Sequence, residues 1–215
     1  MNKKQKVFDL VSRSLAPTVN TKKMLAVLPT HLYLKGFLLE STIEKNRYFL
    51  WKLVMPLYTP ARFVDLSYGN RLANSKTILI EDRASSIKFA AEEVLQILTL
   101  EQSLDYLARI NSPADFLAHV TDKLRNEVVP NQFDFAVTYF LLGMHAEVIN
   151  LLQAAIAKAA RVSEDFRKRH EPTMTLFLRT LQSNPESAIE LIQEWRQANI
   201  ETLGLQEAVR LSLSL

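Results

Sequence analysis

The side chains able to do chemistry are few in this chain, and they are dispersed. Its four histidines, His31, His119, His145 and His170, fall in different segments. Only His119 with Asp122 has a helical spacing that sets two metal-binding groups side by side, and two ligands do not hold an ion. A solvated helix face is the simpler reading of that pair. Ser85 and Lys88 have the S-x-x-K spacing of serine acyl-enzymes, but the companion motifs are missing, and a serine at a helix start is ordinarily a cap. The carboxylates of Glu81-Asp82 and Glu92-Glu93 are sequence neighbours, which point apart in a strand or a helix. Gly36, Gly69, Gly143 and Gly204 stand too far apart to build a phosphate-cradling loop. With no cysteine, a thiol nucleophile, a zinc-thiolate site, an iron-sulfur cluster and a disulfide framework are all excluded. The reading therefore contains no catalytic, cofactor-binding or metal-ligating residue, and no cofactor is expected.

Charge is more informative. The net charge of +3 conceals 15 Lys or Arg against 6 Asp or Glu up to Lys88, a net of +9, and 11 against 17 from Phe89 onward, a net of -6. Such asymmetry points to an anionic partner for the basic part, or to charges that meet inside the protein. In the first case Lys35, Lys52, Arg62, Arg71 and Lys76 form a partner-binding patch on a sheet, with an acidic protein or nucleic acid as its counterpart. A second basic cluster, Arg167, Lys168, Arg169 and His170, precedes Pro172, where a helix is expected to break or kink. It reads as a solvated last turn that complements the helix dipole.

The elements that must carry these residues follow from periodicity. In RYFLWKLVMPLY (47–58) the odd positions Phe49, Trp51, Leu53 and Met55 are all apolar, which predicts a central strand with that face buried against helices. At twelve residues, with Arg47, Lys52 and Pro56 inside it, the run is too short and too interrupted to cross a bilayer, which takes about 20 apolar residues. HLYLKGFLLE supplies a partner strand through a polar hairpin connection, STIEKN. Centring the hairpin there sets Gly36 opposite Trp51, Glu40 opposite Arg47 as an ion pair, and Lys35 opposite Lys52 as a like-charge pair that Asp65 could offset. FVDLSYGNRL reads as a third strand with Val64, Leu66 and Tyr68 on one face, and TILIED as a fourth. The start, MNKKQKVFDLVSRSLA, is interrupted by Asp9 and Arg13, so it reads as an amphipathic helix with Val7, Phe8, Val11 and Leu15 on one side rather than as a leader.

From Ala84 the period is helical, and seven or eight helices are counted. Thr99 with Gln102 has capping-box spacing, Ser112-Pro113 and Asn184-Pro185 mark helix starts, and Gly143 marks a stop. Ile87, Ala91, Val94 and Leu98 form one apolar stripe, and Phe116, Val120 and Leu124 another. FDFAVTYFLL (133–142), apolar nearly all round, is the expected central helix. YFLLGMHAEVINLLQAAI (139–156) resembles the tetratricopeptide helical hairpin, with a tyrosine, a glycine four residues later, and Val148, Leu152 and Ala155 in its second helix. That likeness covers one repeat, 132–158, and implies a peptide- or protein-binding scaffold. Any antiparallel helix pair also needs small residues at its crossing.

The composition, 48% apolar over 215 residues, is that of a globular protein with a proper core. The fold class expected is α+β: an N-terminal helix and a small antiparallel sheet of three or four strands, then an all-helical bundle of antiparallel hairpins. The corresponding domains are a basic module, 1–83, and an acidic helical bundle, 84–215, packed on the sheet as one unit. The leading functional expectation is a cytoplasmic, non-catalytic interaction module, an adaptor or inhibitor, that uses a helical groove or the basic sheet surface. A nucleic-acid-associated protein acting through the basic half and an enzyme lacking recognisable motifs are the alternatives. The partner expected is another protein, with nucleic acid second, no membrane, and a homo-oligomer left open.

Overall fold

The computed structural model describes residues 2–15, 19–20, 25–61, 63–120, 129–159, 161 and 163–212. It has the α+β architecture of an N-terminal helix, an antiparallel sheet and a helical remainder. Helix α1 (Lys3–Ser14) leads into strands β1 (Val19–Asn20), β2 (Leu25–Val27), β3 (Tyr33–Ser41), β4 (Arg47–Pro56), β5 (Asn70–Arg71) and β6 (Thr77–Leu79), with a single 3-10 turn (Ala73–Ser75) before β6. Helices α2 (Ala84–Leu100), α3 (Ser103–Ala108), α4 (Pro113–His119), α5 (Val129–Leu141), α6 (His145–Ala159), α7 (Glu164–Ser183), α8 (Pro185–Leu203) and α9 (Gln206–Ser212) follow.

The chain's contacts divide it into two compact units, and the line does not follow the strand-to-helix transition near residue 84. One unit gathers Met1–Met55, Arg62–Ile110 and Ile200–Leu215; the other gathers Pro56–Ala61 and Asn111–Asn199. The sheet therefore shares its unit with α1, α2, α3 and α9. Counted this way the charges are 17 basic against 12 acidic residues, a net of +5, and 9 against 11, a net of -2. Part of the acidic helical half thus folds together with the basic sheet.

In the sheet unit the strand order is β1-β2-β3-β4-β5, with β6 also paired to β4. Helix α1 is capped by the Asn2 side chain, which accepts from Gln5 N at 3.0 Å, and it buries Val7, Phe8 and Val11 as its periodicity predicts. It packs on α2, β1 and β2, while α2 also meets β6 through a face that buries Ile87, Ala91, Val94 and Leu98. Short β1 and β2 were invisible to the alternation rule because two or three residues cannot display a period. The third strand is also shorter than expected. Only Asn70–Arg71 pair with β4, since Asp65 turns the chain by accepting from Ser67 N (2.8 Å) and Ser67 Oγ (2.7 Å), and Gly69 N bonds Leu66 O at 2.9 Å.

Three corrections concern β4. Thr42 N donates to Arg47 O (3.1 Å), so Arg47 stands against Thr42 rather than Glu40; Arg47 pairs instead with Glu44 at 2.8 Å. The same shift moves Gly36 off Trp51; on its other side Gly36 lies opposite Val27 of β2, where a Cβ would come within 2.3 Å of Ala26 O. The buried face in the first half of β4 is also the reverse of the one expected. Tyr48 and Leu50 are buried, whereas Phe49 and Trp51 are half-buried. Tyr48 faces inward with its neighbour Ile78 of β6, and Lys3 and Lys4 of α1 reach over its ring at 5.4 and 5.6 Å. Beyond Lys52 both faces are covered, so Leu53, Val54 and Met55 are all buried, and the expectation holds for Leu53 and Met55.

In the helical unit, Ser112 and Asp115 form a reciprocal capping box at the start of α4, and Asn184 Oδ1 accepts from Glu186 N (2.9 Å) at the start of α8. Gly143, with φ +78°, ends α5, where Met144 N reaches back to Tyr139 O at 3.0 Å. Helix α5 buries Phe133, Phe135, Ala136, Val137 and Phe140, and packs against α6, whose Val148, Leu152 and Ala155 are fully buried. Phe133, Phe177 and Trp195 form a ring cluster with centroids 5.8 to 6.0 Å apart. Asn199 holds the segment after β4, donating to Leu57 O (2.8 Å) and Thr59 O (2.7 Å) and accepting from Ala61 N (2.9 Å). Three expectations fail here or nearby. Thr99 lies inside α2 and bonds Leu95 O at 2.9 Å, so it caps nothing. Helix α7 runs through Pro172, and Arg167 to His170 occupy its first half, where the dipole does not favour cations. Phe116 and Val120 are buried as expected, while Leu124 and Asp122 lie outside the described residues.

Candidate functional site: the outer face of the sheet

The alternation that buries Tyr48 and Leu50 turns Phe49 and Trp51 to the other side of β4. Arg71 of β5 stands opposite Trp51 in the ladder. Its guanidinium lies 4.0 Å from the Phe49 ring centre and 5.0 Å from that of Trp51, a cation against two aromatic faces. Glu40 of β3 holds both partners: its Oε2 accepts from Trp51 Nε1 at 2.8 Å and from Arg71 at 3.1 Å. The indole is thus fixed by its ring contact and its N–H, and the charge pair is internally neutral. Gly69 lets the adjoining loop come close, since a Cβ there would sit 3.3 Å from the Trp51 ring and 3.0 Å from Lys52 O. Farther along the same face, Arg47 donates to Thr77 Oγ1 (3.1 Å), and Leu79, its ladder neighbour, is 44% exposed.

Of the five cations expected to form one patch, the four that are described do not gather there. Arg71 is on the outer face. Lys52, one residue along from Trp51, projects to the opposite side, where its ammonium sits 4.4 Å over the ring of Tyr106 in α3. Burial depresses its pKa, an effect that the nearby Glu101 carboxylate partly offsets. Lys35 is buried at 5% exposure. Lys76 is exposed and closes the turn Ala73–Ser75, three consecutive non-glycine residues with φ of 53°, 49° and 62°. That turn is pinned by Glu101, whose Oε1 accepts from Ala73 N at 2.6 Å. Arg62 lies outside the described residues. Asp65 serves its own turn through Ser67. Lys6 pairs with Asp82 at 3.0 Å, so charges of the basic N-terminal part meet acidic residues of the same unit at several points.

What sequence reasoning missed is the trio Glu40, Phe49 and Trp51 acting with Arg71. A signal existed: Glu40 interrupts an apolar strand at an alternate position, which marks one face of β3 as open.

Other candidate centres are weaker. Ser86 Oγ accepts from Glu81 N (2.9 Å) and Lys88 reaches Glu92 (3.9 Å), so the S-x-x-K segment behaves as a helix start. Among the described residues no group of three His, Asp or Glu is placed to hold a metal ion, and no helix is long and apolar enough to cross a membrane. In the helical unit an open groove of about 620 Å³ runs along α7 between Arg167, Lys168 and Arg179, with Pro172 and Leu176 among the residues lining it. Comparison with known proteins returns no matching family model, no matching curated protein and no matching solved structure.

Proposed function

We propose that this chain is a non-catalytic interaction protein whose outer sheet face receives another protein. The observation that carries the reading is the Phe49–Arg71–Trp51 stack held by Glu40 on a half-exposed sheet face. Tryptophan and arginine dominate the energetics of protein interfaces because they offer large contact area together with directional donors. Their usual cost is the ordering of long side chains on binding, about 0.5 to 1.5 kcal/mol each. Here Glu40 has already met that cost in the free protein. The internal neutrality of the Arg71–Glu40 pair favours a partner that is flat and aromatic or aliphatic at its centre over a polyanion. Leu79 and the Arg47 side chain extend the surface beyond the stack.

The test is affinity capture from the native cell with wild-type protein and with a Trp51→Ala/Arg71→Ala variant whose circular dichroism and melting are checked in parallel. The reading predicts at least one protein retained by the wild type and depleted about tenfold or more by the variant, as expected for loss of a central anchor. Identical captured sets from two equally folded baits would refute it.

A further inference from the structure

We infer that α2 pairs antiparallel with α2 of a second copy of this chain, through Phe89, Glu93, Gln96 and Leu100. These residues are not those of the sheet-face reading, so the two stand or fall separately. Leu100 is 74% and Phe89 67% exposed, whereas no other large apolar side chain in a described helix exceeds 49%. At about 100° of turn per residue, Phe89 and Leu100 stand within about 20° of each other around α2. Gln96 and Glu93 lie between them along the axis, and the four together cover about 60° of arc. Ile87, Ala91, Val94 and Leu98 occupy the opposite side and are buried in the chain's own core. Helix α2 thus carries large apolar side chains on two faces, and its own fold covers only one of them. Glu93 is half-buried on the open face, where burial raises the pKa of its carboxyl group. Among the described residues neither Glu93 nor Gln96 has an ion pair or a side-chain hydrogen bond.

The order of the four residues selects both the partner and the direction. Their spacing makes an a/d seam, with Phe89 and Gln96 at d and Glu93 and Leu100 at a. An antiparallel crossing that sets Phe89 level with Leu100 of the second copy also sets Glu93 level with its Gln96, because both pairs are centred on the same point of the helix. Apolar then meets apolar, and each carboxyl group meets a carboxamide donor. Every such contact recurs with the copies exchanged, as a two-fold interface requires. A parallel crossing would instead put the two Glu93 side chains in one layer, which like-charge repulsion disfavours. In the antiparallel pair they occupy adjacent layers, so the polar centre fixes the register at some cost in strength. Glu92, at the rim, is already paired with Lys88 at 3.9 Å. Three turns of helix bury less than the roughly 1,200 Å² at which stable assemblies begin, so the dimer is a weak one.

The chain has no cysteine, so introduced thiols report the register directly. Phe89→Cys and Leu100→Cys proteins, mixed under mild oxidation, should give far more disulfide-linked dimer than either alone. Residues 89 and 100 of opposite copies share a layer, while two copies of either residue lie about 16.5 Å apart along the axis, beyond the reach of a disulfide. The mixed pair also keeps one intact Phe89–Leu100 layer. Sedimentation velocity of the wild type, carried to high concentration, should show the weak dimer. A Phe89→Asp variant with unchanged circular dichroism should be monomeric, and Glu93→Gln should tighten the dimer about tenfold by removing the neighbouring like charges. The proposal is overturned by a wild type that stays monomeric at every concentration, which would leave this face to a different protein. It is equally overturned by a Phe89→Asp variant that dimerises as the wild type does, by a Glu93→Gln dimer no tighter than the wild type, or by single-cysteine proteins that cross-link as readily alone as mixed.

Discussion

The two faces of β4 are built from the same kinds of residue and meet opposite fates. On the inner side Tyr48 and Leu50 are buried beside Ile78. On the outer side an equally apolar pair, Phe49 and Trp51, stays half-exposed and spends its ring faces on Arg71. Hydrophobicity does not separate them; the company of charged neighbours does. Glu40 and Arg71 lie beside the outer pair, and taking both charges out of water would cost more than the rings gain by burial. An apolar side chain flanked by charges across its neighbouring strands is therefore better read as surface than as core, whatever its own preference.

The sharpest way to break this contrast is to truncate each face in turn. Leu50→Ala should cost about 2 to 5 kcal/mol in urea unfolding, as loss of a fully buried leucine does. Trp51→Ala should cost distinctly less, because the indole is half in water and the cavity it leaves is open. Equal losses would mean that the outer face is core. Next in size is Gly36→Ala, where the added Cβ meets backbone of β2 at 2.3 Å rather than a yielding side chain. Overpacking of that kind costs about 1 to 3 kcal/mol. Gly143→Ala, in open space but at φ +78°, should cost about 1 kcal/mol for the backbone conformation alone. Thermal melts of the two variants compare them.

A smaller effect should follow Glu40→Gln, which keeps an acceptor for the indole but removes the charge facing Arg71. The loss of stability should be about 1 kcal/mol or less, in line with exposed ion pairs, while Trp51 becomes more mobile by fluorescence anisotropy. The smallest expected effect belongs to Lys52, on the inner side. Its folded pKa is below that of the unfolded chain, so between the two values the unfolded chain binds more protons and stability rises with pH. Lys52→Met should remove that rise from the alkaline side of the stability profile. A variant profile parallel to the wild type would show that the burial of this ammonium is not felt.

Much of the architecture was legible because it rests on local rules. The N-terminal helix, the β3–β4 hairpin, the caps at Ser112 and Asn184 and the stop at Gly143 each follow from a few adjacent residues. The apolar stripe of α2 was readable for the same reason. The candidate site was not legible, because it depends on register. Moving Arg47 from Glu40 to Thr42 frees Glu40 for Arg71 and Trp51, and that shift is set by the hairpin turn, where Asn46 adopts φ 66°. Lys52 and Arg71, expected on one patch, part for a related reason. Lys52 and Arg71 lie on paired strands, but alternation sends them to opposite sides, and net charge along a sequence carries no information about sides.

Hydroxyl-radical footprinting of the native protein, read residue by residue across 47–55, addresses the outer-face assignment most directly. Phe49 and Trp51 should be oxidised readily and Tyr48 spared, with the contrast lost on unfolding in urea. Oxidation of Tyr48 together with protection of Trp51 would reverse the two sides of the strand, and the partner surface proposed on it would have no basis.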